Sequence, residues 1–185
     1  MTSEQRLSEQ CSKQDGQAFR ELYDNFGGRL FSLCLRYIPD RNDAEDALQD
    51  SFIKIIHSIS SFRYKGEGSL YAWMSRIVMN QCLDRLRKDR GKPLTDIEVT
   101  QLDGIADSEP DAAGIESIPE DELIRMVGRL PAGYRAVFNM YAVEGLSRKE
   151  IARALGIKEK TSSSQYFKAR AMLATMIKKY EKGCK

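Results

Sequence analysis

The stretch GLSRKEIARALGIKEKTSSSQYFKARAML, residues 145–173, carries the punctuation of two helices joined by a tight turn. Ser147, followed three residues later by Glu150, makes a capping box, in which hydroxyl and carboxylate satisfy backbone donors at a helix start. Gly156 suits the turn, Ala152 is small where a second helix must pass closely, and Ile151, Leu155 and Ile157 are placed to face a core. The helix that follows, from about Lys160, is expected to project Ser163, Ser164, Gln165, Phe167, Lys168 and Arg170 outward. Such a helix fits a DNA major groove, where Ser and Gln hydrogen-bond base edges while Lys and Arg meet base acceptors or phosphates. A basic amphipathic helix in a plain bundle has the same composition, so this stretch alone leaves both readings open.

Upstream of it, helical periodicity resumes at Pro119, with Leu123, Ile124 and Val127, then Val137, Phe138 and Tyr141; downstream, the last helix should run to about Tyr180. In the first half, Phe19, Leu22, Tyr23, Phe26, Leu30, Leu33, Cys34 and Tyr37 recur at steps of three and four, the period of one helix face. Pro39 stops that helix. Asp43 is a candidate cap for a second, running to about Ser58 with Ala44, Ala47, Leu48, Phe52, Ile55 and Ile56 inward. A third is expected from about Ser69 to Arg90, ending at Gly91 with cations near its C-terminus, where the helix dipole favours them. No segment alternates as a strand does, so the fold class is all-α.

Charge divides the chain into three. Residues 1–90 carry a net +1, residues 91–118 carry −6 and residues 119–185 carry +7. The middle stretch is acidic, broken by Gly and Pro, and shows no sustained helical face. It reads as a flexible linker between a first domain, 1–90, and a second, 119–185. A basic module behind an acidic connector is a pattern compatible with nucleic-acid binding.

Two features of the first domain bear on chemistry. DAEDALQDSF, residues 43–52, places Asp46, Gln49 and Asp50 at i, i+3 and i+4 on one helix face. SFRYKGEGSLYAWMSRIVMNQ, residues 61–81, interleaves Phe62, Tyr64, Tyr71 and Trp73 with Arg63, Lys65 and Arg76 around two glycines. Aromatic faces stack on unpaired bases for roughly 1–3 kcal/mol each, and cations hold the strand's phosphates. Trp73 sits where a core residue is expected, and His57 reads as a helix-end residue.

The segment LPAGYRAVFNMYAVEGLSRKEIARALGIKEKTSSSQYFKARAML (130–173) resembles region 4 of the extracytoplasmic-function (ECF) RNA polymerase sigma factors. AFRELYDNFGGRLFSLCLRYIPDRNDAEDALQDSFIKII (18–56) and SLYAWMSRIVMNQCLDRLRK (69–88) resemble region 2 of the same family, in the correct order and at the correct distance. The resemblance implies two small helical domains. It further implies that Asp46, Gln49 and Asp50 dock on the clamp helices of the β′ subunit of core RNA polymerase, with the β subunit a second partner.

By the same resemblance, Phe62, Arg63, Tyr64, Lys65, Tyr71, Arg76 and Asn80 meet the melted −10 promoter element. The loop from Tyr64 to Gly68 would hold a base flipped out of the stack, with Asn80 bonding near it. Ser163, Ser164, Gln165, Phe167, Lys168 and Arg170 would read the −35 duplex, and an anti-sigma factor is implied as a further partner. The chain departs from the family at three positions. Ser162 stands where an apolar β-branched residue is usual, Ser163 where a basic one is common, and the Ser or Thr cap expected near Lys158 is missing, a loss of about 1 kcal/mol.

Other classes fit less. A dimeric helix-turn-helix regulator of duplex DNA would use the second half and leave the aromatic, basic loop without a purpose. An all-α metal-dependent phosphohydrolase would need a carboxylate–histidine cluster, and the chain has one histidine. No catalytic residue, cofactor or metal site is therefore expected. Cys11, Cys34, Cys82 and Cys184 are far apart in sequence and read as reduced, isolated thiols. With no signal-peptide pattern at MTSEQRLSEQ and no apolar run near the roughly 18 residues of a membrane span, a cytoplasmic protein without membrane insertion is expected.

Overall fold

The computed structural model describes residues 2–90 and 118–183, the side chains of 89 and 90 excepted. Every regular element among the described residues is helical. The chain folds as two compact units, residues 1–85 and 86–185, so the division falls inside the last turns of a helix and not after it. The expected linker and the helix stop at Gly91 lie outside the described residues, with one exception. Ile118, the last linker residue by composition, is buried against Met126, Leu130 and Tyr134 and belongs to the core of the second unit.

Unit 1 contains α1 (Ser3–Ser12), α2 (Gly16–Tyr37), α3 (Arg41–Ser58) and most of α4 (Ser69–Arg90), with a 3-10 turn over Ile59–Ser61. The first helix was not evident from periodicity because it is short and mostly polar. Thr2 caps it by accepting from the Gln5 amide, and Leu7 and Cys11 anchor it in the core. Asp15 caps α2, which buries Leu22, Leu30, Leu33, Cys34 and Tyr37. Tyr23, expected on the core face, is 52% exposed, its ring lying against Phe52 with centroids 4.9 Å apart. At α3 the cap is Asp40, not Asp43: Asp40 holds the extended backbone of a capping residue and accepts from the Asp43 amide.

Cys34 of α2 and Cys82 of α4 are not isolated. Both are fully buried free thiols, and hydrogen bonding to Cys34, with burial, raises the Cys82 thiol pKa. Burial likewise pushes the Cys11 thiol up to about 11, helped by the charges of Asp15 and Glu21. Both groups are therefore protonated, poorly nucleophilic thiols at neutral pH.

Unit 2 comprises α5 (Glu120–Gly128), α6 (Ala132–Phe138) continuing into a π-helical turn over Asn139–Val143, α7 (Arg148–Leu155) and α8 (Glu159–Gly183). Pro119 and Pro131 occupy the cap positions of α5 and α6, where a missing amide costs no helical bond. Glu120, Asp121 and Glu122 fill the first turn of α5, at the positive end of its dipole. At its other end the buried Arg135 donates to the carbonyls of Gly128 and Leu130, each at 2.8 Å, satisfying acceptors left over where α5 stops. Met126, Leu130, Tyr134, Ala169 and Leu173 form the core against which α8 lies.

Candidate nucleic-acid interfaces

The capping box read from the sequence is present. Ser147 Oγ accepts from the Glu150 amide, and the Glu150 carboxylate accepts from the Ser147 amide at 2.9 Å. Gly156 ends α7 at φ +69°, a left-handed conformation that a Cβ would strain. Ile151, Ala152 and Leu155 are buried, as their spacing required, while Ile157 is half-buried. This local geometry sets where α8 begins.

Along α8, Ser163, Ser164 and Phe167 are exposed and Lys168 and Arg170 half-buried. Gln165 corrects the expectation, because it is only 7% exposed and turns into the unit with Ser162 and Ala169. Ser162, Gln165 and Ala169 are spaced three and four apart, so they share one helix face, and that face is the packed one. The Ser163 hydroxyl donates back to the Glu159 carbonyl at 3.1 Å, and Ser164 beside it is exposed.

One group went unseen in the sequence. The Arg148 guanidinium stacks over Tyr141 at 3.8 Å and Tyr166 at 4.4 Å, the two tyrosine rings are 4.6 Å apart, and Arg148 also donates to the Ser162 carbonyl. This cation–π cluster ties the start of α7 and the π-helical turn to α8. No sequence spacing announces it, since its members come from three elements.

In unit 1 the seven candidates for the −10 element fall into two classes. Arg63, Lys65, Arg76 and Asn80 are exposed; Arg76 and Asn80, four residues apart, share a face of α4. Phe62, Tyr64 and Tyr71 are half-buried, and two of them already pack on other rings. Phe62 packs on Trp73 with centroids 5.4 Å apart, and Tyr71 lies on Phe26 with the Arg29 guanidinium 3.9 Å from its ring centroid. Trp73 is itself half-buried and not in the core as expected, and His57 is exposed in the last turn of α3.

The start of α4 is held from a distance. Gly66 and Gly68 take φ of +121° and +83° in the loop before it. The Ser69 amide bonds to the Gly66 carbonyl, and the remaining early donors turn to Glu4 of α1. Glu4 accepts from the amides of Gly68 at 2.7 Å, Leu70 at 3.1 Å and Tyr71 at 3.3 Å, and it is only 9% exposed. Thr2, beside it, donates its hydroxyl to the phenol oxygen of Tyr64 at 2.8 Å.

Asp46, Gln49 and Asp50 are all exposed on α3, as their spacing implied. Two of them also join α3 to α4: Arg85 bridges Asp43 at 2.7 Å and Asp46 at 3.3 Å, and Gln81 donates to Asp50 at 3.2 Å and accepts from Lys54. Burial acts to lower the Arg85 pKa, but the hydrogen bonds and charges of Asp43 and Asp46 outweigh it and leave it raised. Among the described residues no cluster of His, Cys, Asp and Glu could hold a metal, and no helix is long and apolar enough to cross a membrane.

Two family models match the chain: Sigma-70 region 2 over residues 22–92, and Sigma-70 region 4 over residues 120–173. The ECF RNA polymerase sigma factor SigM of Mycobacterium tuberculosis is 33% identical over 163 residues, 88% of this chain and 79% of its own. The ECF RNA polymerase sigma-E factor of Haemophilus influenzae is 30% identical over 183 residues, with 95% of each chain covered. Two solved structures share the fold. CnrH, in complex with the cytosolic domain of CnrY, superposes with a TM-score of 0.53 at 23% identity, covering 96% of this chain and 98% of its own. RpoE of Bartonella quintana, in complex with the anti-sigma factor NepR, superposes with a TM-score of 0.54 at 23% identity, covering 86% and 96%.

Proposed function

We infer a two-handed grip on the promoter from the premise that the chain belongs to the ECF RNA polymerase sigma factors, which bind core RNA polymerase and direct initiation at specific promoters. In this reading the first domain, 1–90, docks on polymerase and takes the −10 element, the acidic stretch 91–118 is a tether, and the second domain takes the −35 element. The exposed face of Asp46, Gln49 and Asp50 meets the β′ clamp helices, and the β subunit completes the contact with core. The protein performs no covalent step and needs no cofactor. It works in the cytoplasm, and a partner of the anti-sigma kind, as NepR is to RpoE, holds it inactive.

The observation that carries the −10 assignment is the division of one short segment into packed aromatic rings and exposed cationic and amide groups. Phe62 and Tyr71 are held by their neighbours, while Arg63, Lys65, Arg76 and Asn80 reach solvent on the same loop and helix. A single strand needs that pairing of apolar faces and phosphate-binding charge, with little rearrangement on arrival. On α8 the reading rests on Ser163, Ser164, Phe167, Lys168 and Arg170; Gln165 is left out because it is packed inside.

In vitro transcription with purified core polymerase and a genomic template, followed by mapping of 5′ ends, tests the whole. Asp50→Arg is expected to weaken core binding whatever the promoter. Tyr64→Ala and Asn80→Ala are expected to bind core normally and to reduce permanganate reactivity over the −10 element. Equal loss of core binding in all three removes the assignment.

A further inference from the structure

Helix α4 carries Arg76 and Asn80, and the loop before it carries Tyr64 and Lys65, so the shape of the α4 N-terminus sets where the candidate −10 contacts stand. That end has a glycine at its cap position, Gly68, with no side chain to offer. The amides of Gly68, Leu70 and Tyr71 would each lack an intrahelical partner. All three go to one carboxylate, Glu4, from a helix more than sixty residues earlier in the chain. The neighbouring Thr2 hydroxyl bonds to Tyr64 itself. Leu7 and Cys11, both buried, fix α1 in place, so Glu4 and Thr2 are held by packing and are not loosely tethered.

We propose that Glu4, with Thr2, is a positioning residue for promoter melting: α1 acts as a brace that holds the loop 62–68 and the first turn of α4 in the geometry that receives the unpaired −10 strand. The proposal rests on the −10 assignment above. It adds residues that touch no DNA in that assignment and lie outside both matched family regions. A carboxylate can serve three amides because its two oxygens offer about four acceptor sites, whereas an amide in its place offers one oxygen and brings two donors of its own. The neutral isostere is therefore not equivalent, which makes the charge testable apart from the volume.

Holoenzymes assembled from core polymerase and full-length Glu4→Ala, Glu4→Gln, Glu4→Asp or Thr2→Ala chains provide the test. Core affinity is measured by fluorescence anisotropy, open-complex formation by permanganate footprinting on a duplex promoter, and capture of the unpaired strand by holoenzyme binding to a promoter with a pre-melted −10 element. Glu4→Ala is expected to lower open-complex formation about tenfold, in line with the loss of a buried acceptor. Glu4→Gln should fall between it and wild type, Glu4→Asp should recover part of the loss, and Thr2→Ala should cost about two- to threefold. Core affinity should stay within about twofold throughout.

The pre-melted promoter should show the same order of defects, because the receiving surface and not the strand separation is altered. Unchanged melting in Glu4→Ala, or core binding that falls in step with melting, overturns the proposal. Should Glu4→Ala not fold, Glu4→Gln and Thr2→Ala decide by the same two readouts. Tyr64→Ala and Asn80→Ala separate the two levels. If they melt normally, the −10 assignment itself is wrong; if they fail while the Glu4 and Thr2 variants do not, only the brace is wrong.

Discussion

Helix α4 opens the candidate −10 site and α7 supports the candidate −35 helix, yet their first turns are closed in opposite ways. Helix α7 carries its own cap, with Ser147 and Glu150 exchanging hydrogen bonds inside one turn. Helix α4 begins after a glycine-bearing loop and borrows its cap from Glu4 of α1. A helix with a cap in its own turn defines its end wherever it is placed. A helix with a borrowed cap has a defined end only once the lender has docked. The first turn beneath the candidate −35 helix is thus closed by local chemistry, whereas the candidate −10 loop depends on the completed fold of unit 1.

The largest consequence is for stability. Glu4→Ala strips the acceptor from three amides, one of them buried, and is expected to destabilise unit 1 by about 2–3 kcal/mol. Hydrogen exchange should quicken at Gly68, Leu70 and Tyr71 and stay unchanged at Ile151 and Leu155. Equal quickening in both units would break the contrast.

A second test compares neighbours on α8. Ser164→Ala is expected to cost about 1 kcal/mol on the preferred −35 sequence and to relax selection at one base pair. Gln165→Ala should leave selection unchanged and lower the melting temperature of unit 2, because that side chain is packed inside. Lys168→Ala, as a phosphate contact, should weaken all −35 variants alike and reduce the salt slope by about one. A −35 library selected at two salt concentrations reads all three; altered selection in Gln165→Ala would return that residue to the DNA face.

Two smaller effects sharpen the contrast from the side of unit 2. Ser147→Ala removes a local cap and should cost about 1 kcal/mol, confined to unit 2 in a denaturant titration followed by exchange. Ser162→Ala should do the reverse. Its hydroxyl is buried without a hydrogen-bond partner, so removing it should stabilise unit 2 by up to about 1 kcal/mol. A loss of stability there would mean that the hydroxyl does find a partner in solution.

How far the chain can be read follows the same division. The start of α4, the capping box, the turn at Gly156 and the exposed row Asp46, Gln49 and Asp50 are all legible in the sequence, because each depends on residues within one or two turns. Two aspartates in one short run compete for the cap of α3: Asp40 takes it, and Asp43, three residues on, is turned toward Arg85. Gln165, expected to project outward with its neighbours, is packed inside. Polarity says which side chains tolerate water, and the packing of α8 against its own unit decided which face met it.

The sequence by itself determined an all-helical chain with an acidic break in the middle, the helix-turn-helix and the resemblance that names its family, since periodicity, caps and motifs are properties of neighbouring residues. Only the tertiary structure brought Glu4 to the start of α4, Arg148 between Tyr141 and Tyr166, and Cys34 to Cys82. Each of these pairs residues on different helices, and a contact of that kind exists only after the intervening chain has paid its loop-closure entropy and packed. No local spacing can announce it.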